Sequence, residues 1–85
     1  MIFKIKNENI LIDDEDYDKI KDYKWHISMI HGYKRVKTCF YINKKRITIY
    51  LHRFIMNVSK DKQVDHKNHN TLDNRKCNLR ICTSQ

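Results

Sequence analysis

The spacing of apolar residues along the chain changes several times, and each change marks an element. Ile2 and Lys4 alternate with Phe3 and Ile5, which reads as an edge strand. A second apolar run, Ile10-Leu11-Ile12, is followed by the acidic run Asp13-Asp14-Glu15-Asp16. Carboxylates favour the positive end of a helix dipole, and Tyr17, Ile20 and Tyr23 recur at near-helical spacing, so a short helix is expected over 14–22. Trp25 to Ser28, a turn through His31-Gly32, Tyr33 to Thr38, Cys39 to Ile42, the turn-like Asn43-Lys44-Lys45 and Arg46 to Tyr50 then predict a small antiparallel sheet. Leu51-His52-Arg53-Phe54-Ile55-Met56 fits a helix with Leu51, Phe54 and Ile55 on one face. A charged turn at Ser59-Lys60-Asp61-Lys62 leads to a strand at Gln63-Val64-Asp65, and Asn78 to Ile81 reads as its partner. The expected class is α+β. No Pro occurs and no Gly/Ser-rich linker interrupts the chain, so composition marks no domain boundary.

Eighteen Lys and Arg against ten Asp and Glu give a formal charge of +8, which points to a polyanionic partner, nucleic acid first. The predicted sheet carries much of it: Lys34, Arg35, Lys37, Lys44, Lys45 and Arg46, with Tyr33, make a basic, aromatic-dotted surface suited to phosphate contacts. The alternative is that these lysines solubilise strand edges. Three cysteines, an odd number without a C-x-x-C pair, argue against a disulfide framework and against structural zinc. No window reaches transmembrane length and the first residues do not read as a signal peptide, so the expected setting is the cytoplasm, or a host cell's, with reduced thiols and no membrane partner.

The chemistry concentrates in Val64 to Cys82. Asp65 and His66 are adjacent at a strand's end, followed by a polar loop in which Leu72 is the only large apolar residue before Cys77. Side chains of such a loop are there for solvent, for loop geometry or for a charged ligand. Consecutive strand residues diverge, so the carboxylate and the imidazole can serve separate tasks. Phosphodiester hydrolysis needs a Lewis acid, a base near neutral pH and a group that fixes the base. Asp65 suits the first task as a metal ligand and His66 the second. Asn78 is placed to orient the ring, and Arg80 is left for phosphate. Asp-His alone is a weak signal, and its plain alternative is a surface histidine in a loop.

Val64-Asp65-His66, Thr71-Leu72-Asp73-Asn74-Arg75, Asn78-Leu79-Arg80-Ile81-Cys82-Thr83 and the upstream Leu51-His52-Arg53-Phe54-Ile55-Met56 together resemble the HNH endonucleases of phages and mobile introns. The resemblance is close over 50–85 and looser over the front half, where Asp16-Tyr17, Tyr23-Lys24-Trp25 and Gly32-Tyr33 are similar to the region preceding the nuclease core, with its AP2-like DNA-binding sheet. It implies a DNA-binding region over 1–50 and a ββα-metal unit over 51–85, with one divalent ion, Mg²⁺ or Mn²⁺. The implied reaction is DNA cleavage or nicking to 5′-phosphate and 3′-hydroxyl ends. Carried over, Asp65 matches the metal-binding acid, His66 the general base and Asn78 the residue that orients it. His52 and Arg53 match a His-Arg pair whose role is packing or holding phosphate, and Arg53, Arg75 and Arg80 become candidate phosphate contacts. The family's second metal ligand lies on a helix that would begin near Thr83-Ser84, and the chain ends at Gln85 before it. The expectation is therefore an incomplete unit, in which His69 or Asn70 could substitute as ligand and self-association could support the fold. The competing expectation is a non-catalytic DNA-binding module derived from such a nuclease.

Overall fold

The computed structural model describes residues 1–59 and 61–83. The fold is α+β: seven strands form three antiparallel sheets with two helices among the described residues. Strands β1 (Ile2–Ile5) and β2 (Glu8–Leu11) pair as a hairpin, and α1 spans Asp14–Ile20. Strands β3 (His26–Ile30), β4 (Tyr33–Ile42) and β5 (Lys45–Tyr50) form the central sheet. Helix α2 (Leu51–Met56) follows β5 directly, and β6 (Lys62–His66) pairs with β7 (Leu79–Thr83) across the long polar loop. The single ten-residue strand β4 serves both hairpins that the sequence suggested separately. Both of its turns place two consecutive residues at positive φ, His31-Gly32 and Asn43-Lys44, as a two-residue turn matching the strand twist requires. Ser84, where the further helix was expected, lies outside the described residues.

One buried cluster joins the front of the chain to the back. Ile10, Ile12, Ile20 and Val36 pack with Leu51, Ile55, Val64 and Leu79, so residues on both sides of position 50 share a core. Leu51 and Ile55 are the buried side of α2, as their spacing predicts, and Asn57 closes that helix in the left-handed conformation. Tyr23, Trp25 and Phe54 stack at one end of this core, with ring centroids 5.4–6.1 Å apart.

The polar loop docks on the N-terminal hairpin. Leu11 N–H donates to Leu72 O at 2.9 Å and Asn74 N–H to Leu11 O at 2.8 Å. Asp13 accepts from the Lys76 backbone N–H at 2.9 Å, while the Lys76 ammonium lies 2.6 Å from Glu15 and 3.1 Å from the fully buried Asp16. Asp13, Glu15 and Asp16 are the carboxylates whose oxygens lie within 4.8 Å of one another, and the lysine already supplies positive charge to that group. The acidic run is thus the anchoring point of the loop as well as the start of α1.

Candidate active site

Strand β6 aims Asp65 and His66 to opposite sides. His66 turns inward and is 4% exposed, whereas Asp65 stays half-exposed at the rim. The ring of His66 is therefore no loose surface imidazole. Its Nε2 lies 2.9 Å from Asn74 Oδ1, and Asn74 is itself 1% exposed. Asn74 Nδ2 donates to Thr71 O at 3.3 Å, which fixes the amide with its oxygen toward the ring. With the amide oxygen facing the ring, the network makes Nε2 the donor and leaves Nδ1 as the nitrogen not engaged by Asn74.

Asn78, expected to hold that ring, works elsewhere. Its Nδ2 donates to Asn68 Oδ1 and Asp73 O, both at 2.9 Å, and its Oδ1 accepts from Asn68 N–H at 3.1 Å. With Lys67 N–H donating to Asn78 O at 2.8 Å, these bonds tie the two ends of the loop together. The physical reason is that a polar loop packed on a core must satisfy its own backbone, and Asn offers both donor and acceptor. Asp73, Asn74 and Asn78 are all buried for this purpose, although their polarity alone reads as exposure. Asn68 and Asn70 close further turns of the same loop through their side-chain oxygens.

The candidate phosphate residues separate into committed and available ones. Arg75 forks onto Asp73, Nε at 2.8 Å and Nη2 at 2.7 Å, and this guanidinium holds the Asp73 carboxyl below its usual range. Arg53 donates to Lys62 O at 2.7 Å and Ser59 O at 3.0 Å, closing the connection between α2 and β6. Arg80 meets Asp65 Oδ2 at 2.8 Å across the β6–β7 pair. On the central sheet, register puts Arg35, Lys37 and Arg46 on the outer face with Tyr33, Tyr41 and Tyr50. Lys34 and Lys45 belong to the other face, where Lys34 pairs with Glu8, and Lys44 sits in the turn. Arg46 contacts Cys39 Sγ at 3.5 Å. The six basic residues read as one surface are therefore divided by the strand pleat.

A pocket of about 130 Å³ opens where β6 meets the central sheet, lined by Tyr33, Arg35, Asp65, His66, His69 and Thr71. His52, at the start of α2, lies behind it with its ring centroid 5.1 Å from that of His66. Burial first, then the neighbouring His66, Arg35 and Arg53, push the His52 pKa down to about 3, so it stands neutral. Asp65 is held ionised by Arg80 first, against the opposing effect of burial, with further help from the His66 backbone N–H at 2.9 Å.

Asp65 is the carboxylate of this pocket, and its donor set suits a hard cation at one position. Mg²⁺ takes one or two carboxylates and keeps several waters, and a volume of about 130 Å³ admits an ion with such waters. His69, at positive φ beside Asp65, offers a nitrogen donor, which suits Mn²⁺ better than Mg²⁺. Among the described residues no three His, Cys, Asp or Glu ligand atoms gather around Asp65 within 4.8 Å, so the pocket is a rim and not a cage. A cavity of about 720 Å³ lined by Lys19, Tyr50, Arg53, Phe54 and Val58 shares no residue with this pocket and carries no carboxylate, imidazole or thiol. No helix among the described residues is long and apolar enough to cross a membrane.

No family model, no curated protein and no solved structure matches the chain. Asn74 is the residue of this candidate site that sequence reasoning missed. Its signal was present in the Leu72-Asp73-Asn74-Arg75 string, where an Asn follows the loop's one large apolar residue.

Proposed function

We propose that the chain is a DNA endonuclease of the HNH type that hydrolyses phosphodiester bonds with one divalent ion. The observation that carries this reading is the buried His66–Asn74 bond: it holds an imidazole in one orientation, Nε2 toward Asn74, beside a pocket that also holds Asp65. His66 Nδ1 takes a proton from water as that water attacks phosphorus, and the ring becomes an imidazolium braced by Asn74 Oδ1. The P–O3′ bond breaks, leaving a 5′-phosphate and, after protonation from solvent, a 3′-hydroxyl. Asp65 would hold Mg²⁺ or Mn²⁺, which when bound supplies Lewis-acid stabilisation of phosphoryl charge. Arg80, which pairs with Asp65, would contact DNA phosphate once it leaves that carboxylate. A net charge of +8 supports association with DNA that weakens steeply with salt. Free Cys39, Cys77 and Cys82 suit work in a reducing cytoplasm.

Incubating supercoiled plasmid with the protein and Mg²⁺ or Mn²⁺, beside His66→Ala, tests the reading. Nicking by the wild type that the substitution removes supports an enzyme. One observation favours a second reading, a DNA-binding module that does not cut: the pocket's carboxylate already pairs with Arg80. DNA binding with intact plasmid in both metals is the outcome that this module requires.

A further inference from the structure

We propose that Arg35 is the residue that grips the phosphodiester being cut, its guanidinium meeting the non-bridging oxygens beside His66. The inference rests on the nuclease reading and assigns a catalytic residue supplied by the central sheet, from outside the β6–loop–β7 unit.

The chain has five arginines, and among the described residues four hold partners. Arg46 lies on Cys39, Arg53 on two backbone carbonyls, Arg75 on Asp73 and Arg80 on Asp65. Arg35 alone has no hydrogen bond or ion pair from its side chain among them. It is also the arginine that lines the pocket of Asp65 and His66. The same side chain borders an adjoining pocket of about 240 Å³ with Ile30, Tyr50 and His52, so it stands between two concavities.

Its position is built by the fold. Arg35 pairs with Ser28 in β3 and sits beyond the last β4–β5 pair, Lys37↔Tyr50, where the chain leaves β5 for α2. A strand interior holds a functional side chain more rigidly than a loop. The surroundings leave its charge uncompensated. His52 lies half-buried beside it and offers no negative charge, and Asp65, the acid of the pocket, already accepts from Arg80 and from the His66 backbone. A half-buried guanidinium without a carboxylate is matched by an anion with two adjacent oxygens, and a phosphodiester offers that geometry.

Wild type, Arg35→Ala and Arg35→Lys are compared for nicking of supercoiled plasmid with protein in excess, and for affinity to a labelled duplex by fluorescence anisotropy. Arg35→Ala is expected to slow nicking at saturation by about 10²-fold, with affinity changed far less, because the contact forms fully on the transition state. Arg35→Lys is expected to restore only part of the rate, since an ammonium cannot form the fork. A variant that cuts at the wild-type rate once saturated overturns the assignment while leaving the nuclease reading intact. If wild type does not nick, that reading fails separately. The Arg35 Nε–H signal in a ¹⁵N–¹H spectrum then decides: a shift on adding duplex retains the phosphate contact, and an unmoved signal ends it.

Discussion

Asn74 and His66 meet inside the protein, Oδ1 to Nε2 at 2.9 Å, and the carbonyl of Thr71 dictates which way the amide faces. The pair therefore decides which ring nitrogen is basic. Replacing Asn74 by Ala removes the acceptor and lets the ring take either tautomer or rotate. The expected result is a fall in saturated nicking rate of about 10²-fold, the low end of what a positioned base contributes, with DNA affinity little changed. Wild-type cutting by Asn74→Ala would show that the ring is held by something else.

Asn78 predicts a different phenotype, because its bonds serve the loop. Asn78→Ala leaves the buried Asp73 carbonyl without this donor and frees the Asn68 N–H at the more open end of the loop, while the Asn68 side-chain oxygen keeps the Asn70 N–H. Each group left unsatisfied in a buried setting costs about 1–3 kcal/mol. Urea unfolding should show a loss of about that size or more. A variant as stable as wild type would mean that water reaches the Asp73 carbonyl and replaces the bond.

These two asparagines show where the sequence is legible and where it stops. Apolar spacing located Leu51 and Ile55 on the buried side of α2, and Gly32 marked its turn, because both signals are local. The partner strand at Asn78 to Ile81 is legible as well, but the register that sets Arg80 opposite Asp65 is not. The burial of Asp73, Asn74 and Asn78 could not be read in the same way. Polarity says that a side chain wants hydrogen bonds, and it does not say whether water or a folded backbone supplies them. The approach of Arg35 to His66 is hidden for another reason: it depends on how the central sheet packs beside β6, which no local pattern encodes.

Arg80 and Asp65 form an exposed pair, so it can open at modest cost. The guanidinium is the main cause of the depressed Asp65 pKa and also the main competitor for any cation there. Arg80→Ala should therefore bind Mn²⁺ a few-fold more tightly in the absence of DNA, measured as loss of the free-ion signal in electron paramagnetic resonance. Unchanged or weaker binding would place the ion elsewhere or remove it from the reading.

His52 is expected to contribute to the pH dependence of stability. It faces His66, Arg35, Arg53 and, with opposite effect, Asp65, and burial is the largest cause of its pKa falling to about 3. An unfolded chain protonates this residue near its ordinary value of about 6.5. Between those values the unfolded state binds more protons, so acid draws the equilibrium toward unfolding. The contribution is complete above about pH 6.5 and is lost as pH falls toward 3. Asp73, depressed by Arg75, acts in the same direction but begins only near its ordinary value of 3.8. Comparing variants between about pH 4.5 and 6.5 therefore separates the imidazole from that carboxylate. The urea midpoint of wild type should drop across this window, and His52→Phe, which keeps a ring against His66 without a titrating nitrogen, should drop less. Equal slopes in the two proteins would mean that His52 becomes charged without leaving its place, and that the space behind His66 admits water.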